Sequence, residues 1–313
     1  MEAKAIFECP PSQEAVTEQR KRRRLLDYLK PLRFQHWLKN LLVFVPLLTA
    51  QRLFEDALWW KTTLAFVAFG CCASAGYVLN DLLDLEADRH HPHKRNRAFA
   101  SGHIPRSYGF VMIPVLVGLG CLIGLLVSPL FLLFAISYLA LSLTYSLYIR
   151  KVVLLDVIVL ASFYTMRIMA GSAAVDIWPS HWLLAFSTFL FFSLALVKRY
   201  SELVIMRRVD GDHATARGYE LDDGELVAAM GIASGFVAVL VLALYINTDT
   251  AQAFYGRYQL IWVLCPLLLY WIGHIWLIAH RGKMPDDPVV FAMRDRISLI
   301  LILLMLVTTL WAL

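Results

Sequence analysis

The sequence LWWKTTLAFVAFGCCASAGYVLNDLLDLEAD, residues 58–88, joins a long apolar run directly to a cluster of acidic residues. About 20 consecutive apolar residues are needed for a helix to cross the hydrocarbon core of a bilayer, and residues 58–80 reach this length. The rest of the chain has the same character, since 59% of its 313 residues are hydrophobic and only 17% are charged. A water-soluble domain of this size needs a more polar surface. The sequence therefore predicts an all-α integral membrane protein.

Nine apolar segments are candidates for transmembrane helices. Each is expected to be helical, because a backbone in contact with lipid must satisfy its own hydrogen bonds. The first segment is the weakest candidate, since Pro46 interrupts it and Arg52 ends it early. The nine segments are approximately residues 40–54, 58–80, 108–128, 130–149, 152–174, 181–197, 225–247, 259–280 and 289–312.

Lysine and arginine residues are concentrated in every second connection between these segments. The other connections contain only Arg52, Lys61 and Arg257. Basic connections stay on the cytoplasmic side of a membrane, which places the N terminus inside and, after nine crossings, the C terminus outside. We therefore expect a multi-pass protein of the cell (inner) membrane with nine helices, in which the acidic end of the second segment faces the cytoplasm. The basic connections are residues 20–39, 89–106, 150–151, 198–217 and 281–283.

The chain is expected to have two parts. Residues 1–25 are polar and basic and predict a disordered N-terminal tail. Its run of basic residues, 20–24, either contacts anionic lipid headgroups or only sets the topology. Residues 26–313 are expected to form a single nine-helix intramembrane domain.

Asn80, Asp84 and Asp88 are spaced four residues apart at the end of the second apolar segment. On an α-helix this spacing forms one stripe that drifts by only ~40° per step. Asp81 begins a neighbouring face, and Glu86 points elsewhere. Carboxylates at this spacing repel one another unless a cation lies between them, and Mg²⁺ prefers oxygen ligands and substrate phosphates. The stripe therefore predicts a magnesium site.

A basic run follows the acidic stripe and suits a polyanion that is bridged to the metal. Together the two runs indicate a diphosphate-binding site. One alternative is a solvated, salt-bridged helix end, which is disfavoured because carboxylates in a membrane are costly and usually functional. A zinc site at His90, His91 and His93 is another alternative, disfavoured because the neighbouring side chains are carboxylates. The basic residues are Arg89, Lys94, Arg95 and Arg97.

The stretches NDLLDLEAD (80–88) and HPHKRNR (91–97) resemble the first motif of the UbiA-type intramembrane prenyltransferases. The resemblance implies nine transmembrane helices around a central cavity, with Mg²⁺ holding a diphosphate leaving group. The chain departs from the family pattern at two points. Arg33 precedes Phe34, and Arg97 precedes Ala98, where the family has Arg-Pro. The cations are kept while the rigid turns are lost, which puts the loop geometry in doubt more than the chemistry.

The stretch KRYSELVIMRRVDGD (198–212) decides which branch of the family the chain resembles. Aromatic polyprenyltransferases of the family carry a second aspartate-rich motif there, whereas this chain has basic residues. The resemblance therefore implies transfer of 5-phosphoribose from phosphoribosyl diphosphate to a polyprenyl (decaprenyl-type) phosphate. An aromatic or quinone-type polyprenyltransferase with a polyprenyl diphosphate donor is the alternative. Four stretches are similar to the phosphoribosyl branch, namely LRFQHWLKN (32–40), TYSLYIRKVVLLDV (144–157), KRYSEL (198–203) and DDPVVFAMRDRIS (286–298).

The phosphoribosyl reaction brings together more phosphate groups than an aromatic prenyl transfer does, so it needs more cations. The expected partners are phosphoribosyl diphosphate, a polyprenyl phosphate lipid and the membrane, without nucleic acid. Mg²⁺ is the expected cofactor, with Asn80, Asp84 and Asp88 as its ligands. The predicted catalytic residues are Asp84, Asp88 and Lys198. The predicted substrate-binding residues are Lys39, Asp81, Lys94, Arg97, Tyr145, Lys151, Asp156, Arg167, Arg199 and Glu202.

Several of these residues have a structural alternative. Asp156 and Arg167 lie eleven residues apart on one helical face, so they either pair with each other or hold ribose hydroxyls and a phosphate. Tyr145 is either a substrate contact or part of an interfacial aromatic belt. Glu202 is either an i, i+4 partner of Lys198 or a group that orients Lys198 or a ribose hydroxyl.

Asp287 with Pro288 is interpreted as an N-cap and first-turn proline of the last helix, outside the site.

Two function classes other than enzymes also have to be weighed. A secondary transporter concentrates its charges near the bilayer midplane, often in repeated halves, whereas the acidic stripe lies at one end of a helix. A purely structural membrane subunit does not need three metal-competent oxygens on one helical face.

Overall fold

The computed structural model describes residues 27–50, 52, 55–90, 94–209, 218–285 and 287–313. The predicted tail therefore lies outside the described residues, as do His91, His93 and the side chain of Lys94. Among the described residues the chain forms helices and no strand. The 3₁₀ segments are Lys30–Leu32, Phe34–Phe44, Lys94–Asn96, Ile149–Lys151 and Tyr258–Val263. The α-helices are α1 (Val45–Thr49), α2 (Asp56–Leu83), α3 (Leu85–His90), α4 (Arg106–Val127), α5 (Pro129–Leu147), α6 (Leu155–Val175), α7 (His181–Val209), α8 (Asp223–Ile246), α9 (Asp249–Phe254), α10 (Leu264–His280), α11 (Pro288–Ala292) and α12 (Arg296–Ala312).

The chain divides into two compact units. The first unit comprises the chain up to Phe34 together with Ala73–Gly118. The second unit comprises Gln35–Cys72 and Leu119–Leu313. The acidic stripe belongs to the first unit, and the predicted substrate-binding residues from α5, α6 and α7 belong to the second.

The described residues contain seven helical segments that are long and apolar enough to cross a membrane, and α12 is a shorter apolar helix. Together they indicate a multi-pass membrane protein. The expected count of nine is not confirmed. The seven segments are α2, α4, α5, α6, α7, α8 and Tyr258–His280.

The first and last predicted spans differ from the structure. The prediction of one long helix over residues 40–54 is wrong within the described residues, where the 3₁₀ segment is followed by the five-residue α1. Pro46 lies in the first turn of α1, and because it has no N–H it cannot continue the ladder of the preceding turn. The predicted span 289–312 is divided, because the Asp295 side chain accepts from Ser298 N and starts a new helix, α12.

Many large apolar side chains face outward, and several charged ones are buried. Leu126 is 71% exposed and Phe110 is 66% exposed, whereas Arg167 and Arg199 are at most 2% exposed. An apolar exterior of this kind is stable against lipid tails. Ionised groups inside it are costly unless each has a partner, so the partners of the two arginines are the natural place to look for a site.

In the second unit, α6 and the segment Phe34–Phe44 approach each other closely at Gly171. A Cβ atom at this position would lie 2.1 Å from the carbonyl oxygen of Val43, a distance that backbone atoms cannot accept. The absence of a side chain at Gly171 therefore lets the segment lie against α6. This contact brings Asn40 within hydrogen-bonding distance of Arg167.

We expect Gly171→Ala to destabilise the protein by about 3 kcal/mol, because overpacking against a fixed backbone oxygen costs at the upper end of the usual range. The midpoint of thermal unfolding should fall by roughly 5 °C, measured by tryptophan fluorescence on the protein in nanodiscs. Gly118→Ala in α4 is the matched control, since nothing lies within 4 Å of a Cβ atom there. Equal melting temperatures for the two variants would show that the close approach at Gly171 does not stabilise the fold.

Candidate active site

The acidic stripe keeps its helical spacing in the structure, although α2 ends at Leu83 and α3 begins at Leu85. Asp84 N donates to Asn80 O at 2.9 Å, and Asp88 N donates to Asp84 O at 2.8 Å. These are ordinary i to i−4 helical bonds. The backbone therefore holds Asn80, Asp84 and Asp88 one turn apart, as the sequence predicts.

Asp81 shares a cation with Asp88. Arg97 Nη1 is 2.7 Å from Asp88 Oδ2 and 3.5 Å from Asp81 Oδ1, and both carboxylates are almost completely buried. Arg33 Nη2 lies 2.5 Å from Asp81 Oδ1, and the Arg33 guanidinium also stacks over Tyr77 with 5.5 Å to the ring centre. Asp81 therefore belongs to the same charged cluster as Asp88.

Arg33 reaches Asp81 from a left-handed backbone conformation, with φ at 49°. A non-glycine residue rarely adopts this conformation. Arg33 ends the 3₁₀ turn Lys30–Leu32 and points its side chain toward α2. The predicted site omits Arg33. The sequence signal that could have identified it is the replacement of the family's Arg-Pro pair by Arg33–Phe34.

Glu86 points away from this cluster, as expected. Its carboxylate bonds Arg106 at 2.5 Å and Arg89 at 3.2 Å, and the side chain is 68% exposed. The bond from Arg106 and the charge of Arg89 hold the pKa of Glu86 below its usual value. The solvated, salt-bridged helix end thus describes Glu86, while Asp81 and Asp88 face inward.

The donor chemistry of the stripe suits a hard divalent cation. Within the described ranges, no group of three or more His, Cys, Asp or Glu side chains converges closely enough to hold a metal ion by itself. The stripe nevertheless offers carboxylate and amide oxygens one turn apart, on Asn80, Asp84 and Asp88, and Asp88 is paired with Arg97. Oxygen donors of this kind fit Mg²⁺, which completes its shell with water and phosphate oxygens.

In the second unit, Lys39 forms an ion pair with Asp287. The Lys39 ammonium also lies 5.5 Å from the centre of the Tyr164 ring. Burial raises the pKa of the Asp287 carboxyl, but Lys39 and Lys198 outweigh it and hold this pKa below its usual value. Asp287 caps the five-residue α11 and not the last helix. The sequence interpretation leaves Asp287 outside the site, whereas the structure pairs it with a predicted substrate-binding lysine.

Arg167 is held by three hydrogen bonds inside the second unit. Its guanidinium donates to Asn40 Oδ1 at 2.9 Å, to Phe163 O at 2.5 Å and to Tyr138 OH at 3.0 Å. The rings of Phe69, Tyr138 and Tyr164 lie 5.0 to 5.7 Å from its central carbon. Aromatic faces stabilise a desolvated cation, so this arrangement fixes Arg167 in the middle of α6.

Arg199 lies in a second buried network. It pairs with Asp156 of α6 and with Glu202, one turn further along α7. Tyr219 OH donates to Asp156 Oδ1 at 2.8 Å and accepts from Leu154 N at 2.9 Å. Burial, and to a smaller extent the bond to Asp156, raises the pKa of the Tyr219 hydroxyl. Tyr219 therefore stays protonated and keeps Asp156 directed at Arg199.

These contacts bear on the alternatives that the sequence leaves open. Asp156 and Arg167 are about 16 Å apart along one helix and bond to different partners, so the alternative in which they pair with each other is wrong. Glu202 pairs with Arg199. Tyr145 is buried, with its ring centre 5.8 Å from that of Phe163, which disfavours the interfacial belt. Lys151 is exposed at the end of a 3₁₀ turn.

Some buried polar atoms of the second unit have no hydrogen-bond partner among the described residues. Asn40 Nδ2 and Arg199 Nε are two donors of this kind. The Asn40 amide orientation is fixed, because its oxygen accepts from Arg167. A buried donor left without an acceptor costs about 1–3 kcal/mol, so a polar ligand or water is needed beside each. Asn40 is a further residue that the predicted site omits, although it ends the stretch LRFQHWLKN.

Comparison with known sequences places the chain among membrane transferases. The family model described as the UbiA prenyltransferase family matches residues 41–300. The chain is 38% identical over 278 residues to the nodulation protein NoeC of Azorhizobium caulinodans, covering 89% of this chain and 90% of that protein. It is 38% identical over 273 residues to the uncharacterized protein y4nM of Sinorhizobium fredii, covering 87% of this chain and 53% of that protein.

A third relative carries the name of a defined activity. The chain is 34% identical over 185 residues to the decaprenyl-phosphate phosphoribosyltransferase of Mycobacterium tuberculosis, covering 58% of this chain and 61% of that protein. The chain thus spans about half the length of y4nM and less than two thirds of the phosphoribosyltransferase.

Solved structures share the fold at low sequence identity. A UbiA homolog from Archaeoglobus fulgidus bound to GPP and Mg²⁺ has a TM-score of 0.65 and 15% identity, covering 90% of this chain and 99% of that one. A digeranylgeranylglyceryl phosphate synthase has a TM-score of 0.64 and 17% identity, covering 93% and 98%. From the family match over most of its length and this shared fold, the chain belongs to the UbiA prenyltransferase family.

Proposed function

We propose that the protein transfers 5-phosphoribose from phosphoribosyl diphosphate to a polyprenyl phosphate of the decaprenyl type, releases pyrophosphate and depends on Mg²⁺. The observation that carries this proposal is the basic pair Lys198 and Arg199 on α7, with Arg199 completely buried. Aromatic polyprenyltransferases of the family carry a second aspartate-rich motif at this stretch. A buried cation set suits reactants with several phosphate groups better than a flat, apolar acceptor.

The chemistry of the second unit supports the same choice. Its inward-facing cations are Lys39, Arg167, Lys198 and Arg199, and the acidic groups that pair with or lie close to them are Asp156, Glu202 and Asp287. The unpartnered donor on Arg199 is available to a phosphate or a ribose hydroxyl. The partial identity with a mycobacterial decaprenyl-phosphate phosphoribosyltransferase points in the same direction.

Magnesium would be held by Asn80, Asp84 and Asp88, with Asp81 near them. When bound, it neutralises the diphosphate and makes it a better leaving group. Arg97 and Arg33 neutralise Asp81 and Asp88 in this structure. We assign to Arg97 a second role as a donor to diphosphate oxygens, because guanidinium groups bind phosphate with two parallel hydrogen bonds.

The transfer itself needs little from the protein beyond position and charge. The C1–O bond to the diphosphate breaks and the electron pair leaves with pyrophosphate, while an oxygen of the lipid phosphate forms the new bond to C1. No general base is required, because a phosphate monoester is already ionised near neutral pH. Lys39, Lys198 and Arg199 bind and orient anionic groups, which lowers the entropic part of the barrier. Inversion at C1 is the expected stereochemistry of this direct displacement.

The proposal keeps the cell (inner) membrane as the location, with the N terminus and the active site on the cytoplasmic side. It also keeps nine crossings around a cavity open to that side. The segment Phe34–Phe44 with α1 would span about 30 Å if the two pieces are collinear, which equals the thickness of the hydrocarbon core. Seven long segments, this segment and α12 would then make nine.

The central assay is transfer of label from phosphoribosyl diphosphate into a lipid-extractable product, with polyprenyl phosphate and the protein in nanodiscs. We expect activity that depends on Mg²⁺ and falls at least about 100-fold in Asp84→Ala, because the leaving group loses its neutralising ion. Asp56→Ala, in the first turn of the same helix, is the matched control and should retain activity. Label that stays aqueous while a polyprenyl diphosphate is consumed with an aromatic acceptor would establish the alternative prenyl transfer instead.

Lys198→Ala should raise KM for phosphoribosyl diphosphate or the lipid phosphate about 10-fold, the effect of losing one charge-assisted hydrogen bond. The melting temperature should stay close to that of the parent protein. Lys61→Ala, which removes an exposed lysine of α2, provides the comparison. Kinetics for Lys198→Ala that match those of Lys61→Ala would remove Lys198 from the site.

A further inference from the structure

The two oxygens of the Asp287 carboxylate have separate partners. Oδ1 accepts from Val289 N at 3.1 Å and from Val290 N at 3.3 Å, which caps α11. Oδ2 pairs with Lys39 and lies 3.8 Å from His36 Nδ1. Oδ1 therefore stabilises the start of α11, and Oδ2 faces the basic side chains of Lys39 and His36.

Basic side chains from two elements act on the Asp287 carboxylate. Lys39, from the segment Phe34–Phe44, forms the ion pair with Oδ2, and the charge of Lys198 on α7 also favours the ionised carboxylate. Burial alone would favour the protonated acid, yet the two lysines keep the Asp287 pKa low, and the carboxylate is therefore ionised at neutral pH.

The Asp287 carboxylate occupies a position beside Lys39 that another anion, a phosphate group, can also take. An ammonium group has three N–H donors on a flexible stem, so Lys39 and Lys198 can donate to a phosphate oxygen in place of Oδ2. The exchange needs only side-chain rotations, because the backbone of α11 is held through Oδ1. A phosphate that enters must also overcome the repulsion of a carboxylate that stays nearby.

We propose that Lys39, Lys198 and His36 form a phosphate-binding site in which Asp287 is the resident counter-ion, and that the lysines turn from Oδ2 to a phosphate or pyrophosphate group when it binds. The counter-ion keeps the two lysines compatible with each other in the absence of ligand and weakens the hold on the anion, which favours release of product. Asp287 is thus a positioning residue. The proposal rests on the proposed function only in taking phosphate as the ligand, and it does not depend on phosphoribose.

The test is binding of inorganic pyrophosphate, with and without Mg²⁺, to the full chain in nanodiscs by isothermal titration calorimetry. Asp287→Asn retains an acceptor for the N-cap and removes the charge, so it should bind pyrophosphate roughly 10-fold more tightly than the parent protein, as the like-charge repulsion is lost. Asp295→Asn is the matched control, because Asp295 also caps a C-terminal helix but faces His274. Its affinity should stay within about 2-fold of the parent value.

Two further variants keep the outcome decisive. Asp287→Ser also caps a helix and removes the charge, so it replaces Asp287→Asn if that variant does not fold. Lys39→Met should lose at least about 10-fold in pyrophosphate affinity, which shows that the lysines are the site. Tighter binding in an Asp287 variant and weaker binding in Lys39→Met support the proposal.

Equal or weaker pyrophosphate binding in both Asp287 variants would overturn it, since the carboxylate then does not compete with the anion. Pyrophosphate binding that is undetectable in every variant, or unaffected by Lys39→Met, would overturn it as well. These results are independent of the label-transfer assay. If the protein transfers phosphoribose normally but fails the pyrophosphate test, the proposed function stands and only the counter-ion role of Asp287 is rejected.

Discussion

Arg97 lies between the carboxylates of Asp81 and Asp88, and Arg33 approaches Asp81 from the other side. Charges at the end of an apolar helix are stable only when partners replace the water that they lose. The chain meets this requirement with side chains from separate stretches of sequence. Because breaking a buried pair leaves an uncompensated charge, the positions of the surrounding loops are tied to the acidic stripe.

The charged groups of the two units suit different ligands. In the first unit, Asp81 and Asp88 pair with Arg33 and Arg97, and Asp84 lies one helical turn before Asp88, so the stripe offers oxygen ligands to a cation. In the second unit, Lys39, Arg167, Lys198 and Arg199 lie near the carboxylates of Asp156, Glu202 and Asp287, which suits anionic ligands. The proposed reaction uses both kinds of chemistry, a metal ion and phosphate groups.

The sequence predicts those features that depend on local spacing. Long apolar runs give the positions of most spanning helices, and the four-residue spacing of Asn80, Asp84 and Asp88 gives the stripe. Pro46 marks the break within residues 40–54, but the contact of this segment with Gly171 joins residues that are distant in the chain. No local pattern shows that a glycine in α6 accommodates Val43.

The pairing within the site is not predictable from spacing for the same reason. Asp156 and Arg199 are 43 residues apart, and Asn40 and Arg167 are 127 apart, so only the packing of the helices brings them together. Helical periodicity allowed a pair between Asp156 and Arg167. It shows which face of a helix a residue lies on but not the distance between two residues along the helix. The Asp-Pro pair predicts that Asp287 is an N-cap, but nothing in the local sequence predicts its ion pair with Lys39.

The claim on which the account depends most is that the stripe binds a divalent cation. Electron paramagnetic resonance of Mn²⁺, which uses the same oxygen ligands as Mg²⁺, measures this directly on the protein in nanodiscs with pyrophosphate present. The account predicts that each chain removes at least one Mn²⁺ from the free-ion signal, above a blank of pyrophosphate and empty nanodiscs. It predicts that Asp88→Asn abolishes this uptake while Glu86→Gln, on the same short helix, preserves it. Equal Mn²⁺ uptake by Asp88→Asn and the parent protein, or none by the parent, would contradict the account.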